Sequence, residues 1–212
     1  MSQTVKEAKF ISFEGTEGVG KTTAINSLCQ RLTDAGIEYV KTREPGGSPF
    51  AEQLRELLLD TKTDITDDTE MLLMFAARSD HLAKVILPAL EAGKWVICDR
   101  FVDSTVAYQG YGRGFGDSVM LHKIEGLISQ FVPRLPDLTL WLDLPVAEGM
   151  QRAGKRSAAD RFEQQQMAFF ERVYQGFSKQ HQAHPQRIQR IDAQGQAEEV
   201  AARIWQAVVQ KL

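Results

Sequence analysis

An α/β fold built on a parallel sheet is what the chain predicts, and three observations lead there. Short apolar or β-branched runs recur at residues 10–13, 37–42, 95–98, 138–142 and 188–191. Longer segments of helical periodicity separate them, at residues 21–35, 49–59, 69–92, 117–131, 147–153, 161–180 and 197–212. Strand and helix in alternation is the pattern of crossover units, which join parallel strands. The third observation is a glycine-rich stretch, FEGTEGVGKTT, at the junction of the first run and the first helical segment.

Taken in order, the first run delivers that glycine-rich loop and the segment 21–35 opens on its lysine. The second run ends on TREPGG (42–47), whose proline and glycines shape a rigid, close-approaching loop ahead of segment 49–59. Segment 69–92 contains EMLLMFAARSDHLAKVILPAL and is apolar around most of its circumference, which places it centrally or against a second copy of the chain. The third run ends on CDR, and the stretch that follows carries QGYGRGFG; this and EPGGS read as functional loops inside one domain. Segment 117–131 and the fourth run lead to the short segment 147–153. After it comes QRAGKRSAADRFE, where Gly, Ser and Ala between basic residues have the composition of a mobile lid, about residues 150–161. Segment 161–180, the fifth run with its loop RIDAQGQ, and segment 197–212 complete the order. No internal repeat, low-complexity tract or linker divides the chain, so one domain over residues 1–212 is expected.

Composition sets outer bounds. With 212 residues, 43% hydrophobic and 25% charged, the chain can bury a substantial core. A formal net charge of -3 and a pI near 5.9 argue against a generalised nucleic-acid or membrane surface, which needs a basic excess. Cys29 and Cys98 lie far apart without metal-type spacing and read as buried thiols in a reducing compartment. The start, MSQTVKEAKF, lacks the apolar run of a signal peptide, and no segment approaches the roughly 20 apolar residues of a membrane span, so a soluble cytoplasmic protein is expected. The histidines, His81, His122, His181 and His184, show no ligand or relay spacing.

Gly15, Gly20, Lys21 and Thr22 match G-x-x-x-x-G-K-[ST], after a strand and opening a helix, as that phosphate-binding motif requires. Backbone N–H groups of such a loop point at phosphate oxygens, Lys21 reaches the outer phosphates, and the Thr22 hydroxyl is placed to ligate Mg2+, with Thr23 one position beyond the motif. A GTP switch would need N-K-x-D, yet Asn26 is the chain's single asparagine. Small P-loop kinases remain. Glu17 stands out, because it puts a carboxylate inside an anion-binding loop.

Together with that loop, TREPGG, CDRFVDSTVAYQG (98–110) and DRFE (160–163) resemble the thymidylate kinase family, in order and along essentially the whole chain. The resemblance implies a P-loop nucleoside monophosphate kinase fold with a five-stranded parallel sheet, homodimeric, transferring the γ-phosphate of MgATP to dTMP. It assigns ATP to Gly15, Thr16, Glu17, Gly18, Val19, Gly20, Lys21, Thr22 and Thr23, with Arg152 and Arg190 as further donor-side residues, and Mg2+ to Thr22 and Asp99. The acceptor phosphate goes to Arg100, whose guanidinium fork suits a phosphate, and Arg43 and Pro45 border it. Arg78 is assigned to the thymine ring. The family's stacking phenylalanine falls at Met74 here, and Phe75, one step later, is taken as the stacking ring. Ser104 and Thr105 correspond to base-edge positions, and Tyr108 and Gln109 to positions near the deoxyribose and base. Arg156 matches the lid arginine of the bacterial type, since Thr16, Glu17 and Val19 leave the loop itself without a basic residue. The resemblance places Glu17 beside the dTMP 3′-hydroxyl.

Two rivals stay open on the residues alone. One is a small P-loop kinase for another nucleoside monophosphate. The other is an ATP-binding regulatory subunit without an acceptor site, which would need none of Arg78, Arg100 and Tyr108.

Overall fold

The structure, a computed structural model, describes residues 7–154 and 160–211. Five parallel strands form one sheet in the order β2-β3-β1-β4-β5: β1 Phe10–Glu14, β2 Tyr39–Arg43, β3 Trp95–Asp99, β4 Leu138–Asp143 and β5 Ile188–Asp192. β1 is central and every one of its residues is buried, whereas the edge strands β2 and β5 are partly exposed. Successive β1 side chains enter opposite layers, as the strand period requires. Ile11 and Phe13 join the core beneath α1 (Lys21–Asp34) and α9 (Ala197–Lys211), and Phe10 joins the opposite layer.

On that opposite side lie α2 (Pro49–Leu59), α3 (Asp67–His81), α4 (Leu87–Glu91), α5 (Val102–Thr105), α6 (Ser118–Phe131), α7 (Val146–Ala153) and α8 (Met167–Ala183), completing the alternation the sequence predicts. The starts of α2, α3 and α6 are capped by side chains of Ser48, Thr66 and Asp117, which accept from backbone N–H groups of the first turn.

Three elements differ from expectation. The segment expected as one helix over 69–92 is α3 and α4 joined by a π-helical turn, Leu82–Ile86. Pro88 has no N–H to give the regular i−4 ladder, and the wider turn sits just before it. QGYGRGFG was expected as a loop, yet Val106–Arg113 is π-helical and continues α5. Its glycines make space for neighbours: a Cβ at Gly112 would lie 2.6 Å from the Phe169 ring. The helix expected from residue 161 begins at Met167, because Asp160 Oδ1 accepts from the N–H groups of Phe162 and Glu163 and holds a turn there.

Register positions the site. Phe13 and Arg43 both pair with Asp99, so the carboxyl ends of β1, β2 and β3 finish level and present Glu14, Arg43 and Asp99 along one edge.

Candidate active site

The loop after β1 is a cradle for an anion. Among the described residues no side chain caps α1 at Gly20, which leaves the first-turn N–H groups open to an anion. Gly18 has φ +72°, and a Cβ there would fall 1.8 Å from the Gly149 carbonyl oxygen, which lets the loop lie directly on α7. Lys21 Nζ donates to the carbonyls of Gly15 (3.1 Å) and Thr16 (3.0 Å) and is thereby folded over the loop. Desolvation, then Arg100, pushes the Lys21 ammonium down to about 8, against an upward pull from Asp99, Glu17 and Glu14.

Beside the cradle opens a cleft lined by Glu17, Arg78, Arg100 and Tyr108. One wall is built on Arg100, a non-glycine residue at φ +70°. Such a backbone is held by its surroundings. The Phe101 N–H donates to Glu14 Oε1 at 2.7 Å, and Ser104 Oγ donates to Glu14 Oε2, so a fully buried carboxylate ties down the turn that carries Arg100. Burial first and the Asp103 carboxylate second push Glu14 up to about 8, against Ser104, Arg100 and the Phe101 N–H.

The Arg100 guanidinium is aimed by three acceptors: Gly15 O (2.8 Å), Ser104 Oγ (3.1 Å) and Glu17 Oε1 (3.0 Å). It lies over the Tyr108 ring at 4.8 Å, and the Tyr108 hydroxyl donates to both Glu17 oxygens at 2.9 and 2.7 Å. Glu17 therefore turns toward the cleft wall.

The second wall centres on Arg78. Its Nε donates to Glu44 Oε2 (2.7 Å) and its Nη2 to Thr105 Oγ1 (2.9 Å), while Nη1 is buried without a partner among the described residues. His81 bridges Glu44 Oε1 (3.0 Å) and Thr42 Oγ1 (2.7 Å), which locks Glu44 in turn. Gly47, at φ +89°, gives that histidine room: a Cβ there would lie 2.3 Å from Nε2. Met74, one helical turn before Arg78, lines the cleft. Phe75 lies behind it in the core, 4% exposed, with the Arg78 guanidinium 5.0 Å over its ring. The structure thus puts Met74, and not the Phe75 chosen from sequence, on the cleft surface, because the helix phase that turns Arg78 to the cleft turns residue 75 inward.

The hydroxyls of Ser104 and Thr105, expected at the base edge, are engaged in orienting Arg100 and Arg78. Gln109 lines the cleft and donates from Nε2 to Glu70 Oε1 at 2.8 Å. Pro45 lines the cleft; Arg43 reaches it too, but is half exposed and paired with Glu52 at 2.9 Å. Arg55, which the sequence reading passed over, also lines the cleft and donates to the Pro45 carbonyl at 2.8 Å; burial, then Arg43, lowers its guanidinium. A basic residue one to two turns after the proline-glycine loop was its only sequence signal.

Thr22 and Asp99 border one open pocket with Thr42, Arg43 and Gly47, and Asp99 Oδ1 is buried without a partner among the described residues. A buried carboxylate oxygen beside a hydroxyl is a hard oxygen donor set, which fits Mg2+. Arg152 is ion-paired with Glu148 on α7. Arg190 pairs with Asp143 at 2.6 Å and lines a separate pocket with Tyr174. Arg156 lies outside the described residues.

Known proteins resemble this chain along most of its length. The thymidylate kinase family model matches residues 13–204. A thymidylate kinase of Psychrobacter sp. (strain PRwf-1) is 82% identical over 204 residues, covering 96% of this chain and 98% of that one. A thymidylate kinase of Acinetobacter baylyi (strain ATCC 33305 / BD413 / ADP1) is 52% identical over 186 residues, 87% and 90% of the two chains. The crystal structure of thymidylate kinase from Ehrlichia chaffeensis superposes with a TM-score of 0.76 at 33% identity, covering 95% of this chain and 98% of that one.

Proposed function

The chain belongs to the thymidylate kinase family, and from that premise we propose how its own residues transfer a phosphoryl group from ATP to dTMP. As an ATP-dependent phosphotransferase it converts dTMP to dTDP. The observation that best supports the residue assignment is the pair of shielded guanidiniums, Arg78 and Arg100, that line the cleft. Arg100 is pre-aimed by three acceptors, and Arg78 has one donor to spare.

Two polyanions meet in this reaction, so catalysis is positioning and charge neutralisation. The loop N–H groups and Lys21 hold the donor phosphates. Arg100 clamps the acceptor phosphate, whose oxygen is itself the nucleophile, so no strong general base is needed. Arg78 donates from Nη1 to a thymine carbonyl, and the Met74 thioether covers the ring. Tyr108, fixed by Glu17, fills the place where a ribose 2′-hydroxyl would project and so favours the deoxy sugar. Thr22 and Asp99 would hold Mg2+, which would supply charge neutralisation for the transferring phosphates. Arg156 supplies the lid charge that the P-loop lacks. The enzyme is a cytoplasmic homodimer in this reading, with the α3 layer as contact face. Among the described residues no helix is long and apolar enough to cross a membrane.

A coupled ADP-release assay with MgATP and dTMP, dUMP, dCMP, dGMP and UMP tests the assignment. Release that depends on dTMP above the others is expected, and equal release with and without every monophosphate overturns it.

A further inference from the structure

We infer that Glu70, buried behind the cleft wall, sets the base preference of the acceptor site by fixing which end of the Gln109 amide faces the base. The inference rests on dTMP being the acceptor. Glu70 sits in the first turn of α3 and is 1% exposed. Its Oε1 accepts from Gln109 Nε2 at 2.8 Å and from Arg113 Nε at 3.4 Å; its Oε2 accepts from Arg113 Nη2 at 3.2 Å and Arg161 Nη2 at 2.5 Å. Two guanidiniums therefore clamp the carboxylate from two further elements, and it cannot turn away.

An ionised carboxylate only accepts. It selects the NH2 end of Gln109 and rejects the carbonyl end, so the amide orientation follows from chemistry. The carbonyl oxygen at the other end of the same planar group has no hydrogen-bond partner among the described residues, and Gln109 lines the cleft. Thr105, which accepts from Arg78, stands about one helical turn before Gln109, so the unpartnered Arg78 Nη1 donor belongs to the same recognition surface.

A donor at residue 78 with an acceptor at residue 109 matches a base edge that offers C=O beside N–H, as thymine does with O4 and N3–H. Cytosine offers the reverse, an N4 amino group beside an N3 acceptor. With Gln109 held acceptor-outward, cytosine would face like against like at both positions. Glu70 is a positioning residue in this scheme; it acts through Gln109 and touches no substrate.

The test compares wild type, Glu70→Gln and the exchanged pair Glu70→Gln/Gln109→Glu. In each, kcat/KM is measured for dTMP and dCMP at saturating MgATP, together with KM for ATP. A neutral amide at residue 70 can accept or donate, which frees Gln109 to turn. The dTMP-to-dCMP ratio should fall by about tenfold in Glu70→Gln, with KM for ATP unchanged. The exchanged pair keeps the net charge and gives residue 109 a side chain that only accepts, so it should return the ratio to within about threefold of wild type. A parallel loss on both substrates in Glu70→Gln overturns the inference and leaves Glu70 a packing role. If that variant fails to fold, the exchanged pair decides alone: a collapsed ratio there overturns the inference. Failure of wild type to phosphorylate dTMP at all would instead overturn the functional assignment.

Discussion

Replacing Glu17 with alanine should separate the two substrates of the reaction. The carboxylate accepts one bond from Arg100 Nη2 (3.0 Å) and holds the Tyr108 hydroxyl with both oxygens (2.9 and 2.7 Å), with both side chains of the ion pair largely shielded, at 13% and 17% exposure. A hydrogen bond to a charged group contributes roughly 1.5–3 kcal/mol. Arg100 keeps its bonds to Gly15 O and Ser104 Oγ, so the guanidinium loses one anchor and stays close to its place. We take the low end for that loss and about 1 kcal/mol for freeing the Tyr108 hydroxyl. The sum, about 2.5 kcal/mol, corresponds to a fall of roughly 70-fold in kcat/KM for dTMP. Lys21 is anchored on the carbonyls of Gly15 and Thr16, which the substitution leaves intact, so KM for ATP should move less than about threefold. Initial rates by coupled ADP release, each substrate varied at saturation of the other, read both effects. The measurement belongs at pH 7, because Glu17 also helps to keep Lys21, titrating near about 8, protonated. A tenfold rise in KM for ATP with kcat/KM for dTMP unchanged would refute the reasoning. Glu17→Gln, which keeps a neutral acceptor, should fall between alanine and wild type.

Three further outcomes follow from the same geometry. Desolvation and then Arg100 hold Lys21 near about 8, and a bound triphosphate favours its ammonium form; calorimetric titration with ATP at pH 8.5, in buffers of different ionisation heat, should show proton uptake that is absent at pH 6.5 and in Lys21→Met. Glu14, raised to about 8 chiefly by burial and next by Asp103, lets the folded state hold a proton that the unfolded state releases near 4.5; its stabilisation is complete below that value and is lost as pH rises through about 8. The melting temperature of Glu14→Gln relative to wild type should therefore climb between pH 6 and pH 8.5, and a falling difference would show that the ionised carboxylate is the stabilising form. A Cβ at Gly149 would meet Glu17 O at 2.5 Å, so Gly149→Ala should displace the loop and raise KM for both ATP and dTMP, each severalfold, in contrast to Glu17→Ala.

What could be read from the chain follows from how local the chemistry is. FEGTEGVGKTT announces its loop because glycine backbone freedom, the lysine and the helix start are all within a few residues. The strands were legible for the same reason, since fully buried parallel strands read as short apolar runs. The pairings that shape the cleft are another matter. Arg78 was visible, but Glu44, 34 positions away, was not seen as the group that aims it. Glu14 looked like the end of a strand, and its bond to Ser104 spans 90 positions. Glu70 joins Gln109 across 39 positions, with Arg161 arriving from beyond the fourth strand. A single sequence carries no trace of such distances. Phe75 against Met74 is a different failure: the two differ by one step of helix phase, and only the burial of α3 decides which faces the cleft. QGYGRGFG misled because glycine chosen for close packing has the same spelling as glycine chosen for a turn.

Carboxylates within a phosphate site now have a common explanation. Glu17 aims Arg100, Glu44 aims Arg78, and Glu14 ties down the turn that puts Arg100 at φ +70°. Each binds its partner from the side or from behind, leaving a donor edge for a ligand, as the unpartnered Arg78 Nη1 shows. Guanidiniums left to solvent would occupy many rotamers and would have to be ordered when the substrate arrives, at a cost of about 2 kcal/mol of side-chain entropy for each. Fixing them beforehand moves that cost into folding, where it shows as displaced ionisation: burial and Asp103 raise the Glu14 carboxyl to about 8, and desolvation and Arg100 lower the Lys21 ammonium to about 8. Preorganised charge is most effective where charge develops in the transition state. By that reasoning, loss of an aiming carboxylate should lower kcat/KM for dTMP while leaving the protein as stable as wild type or more so. Glu14→Gln, assayed for turnover and for melting on the same sample at pH 8.5, puts the two effects side by side.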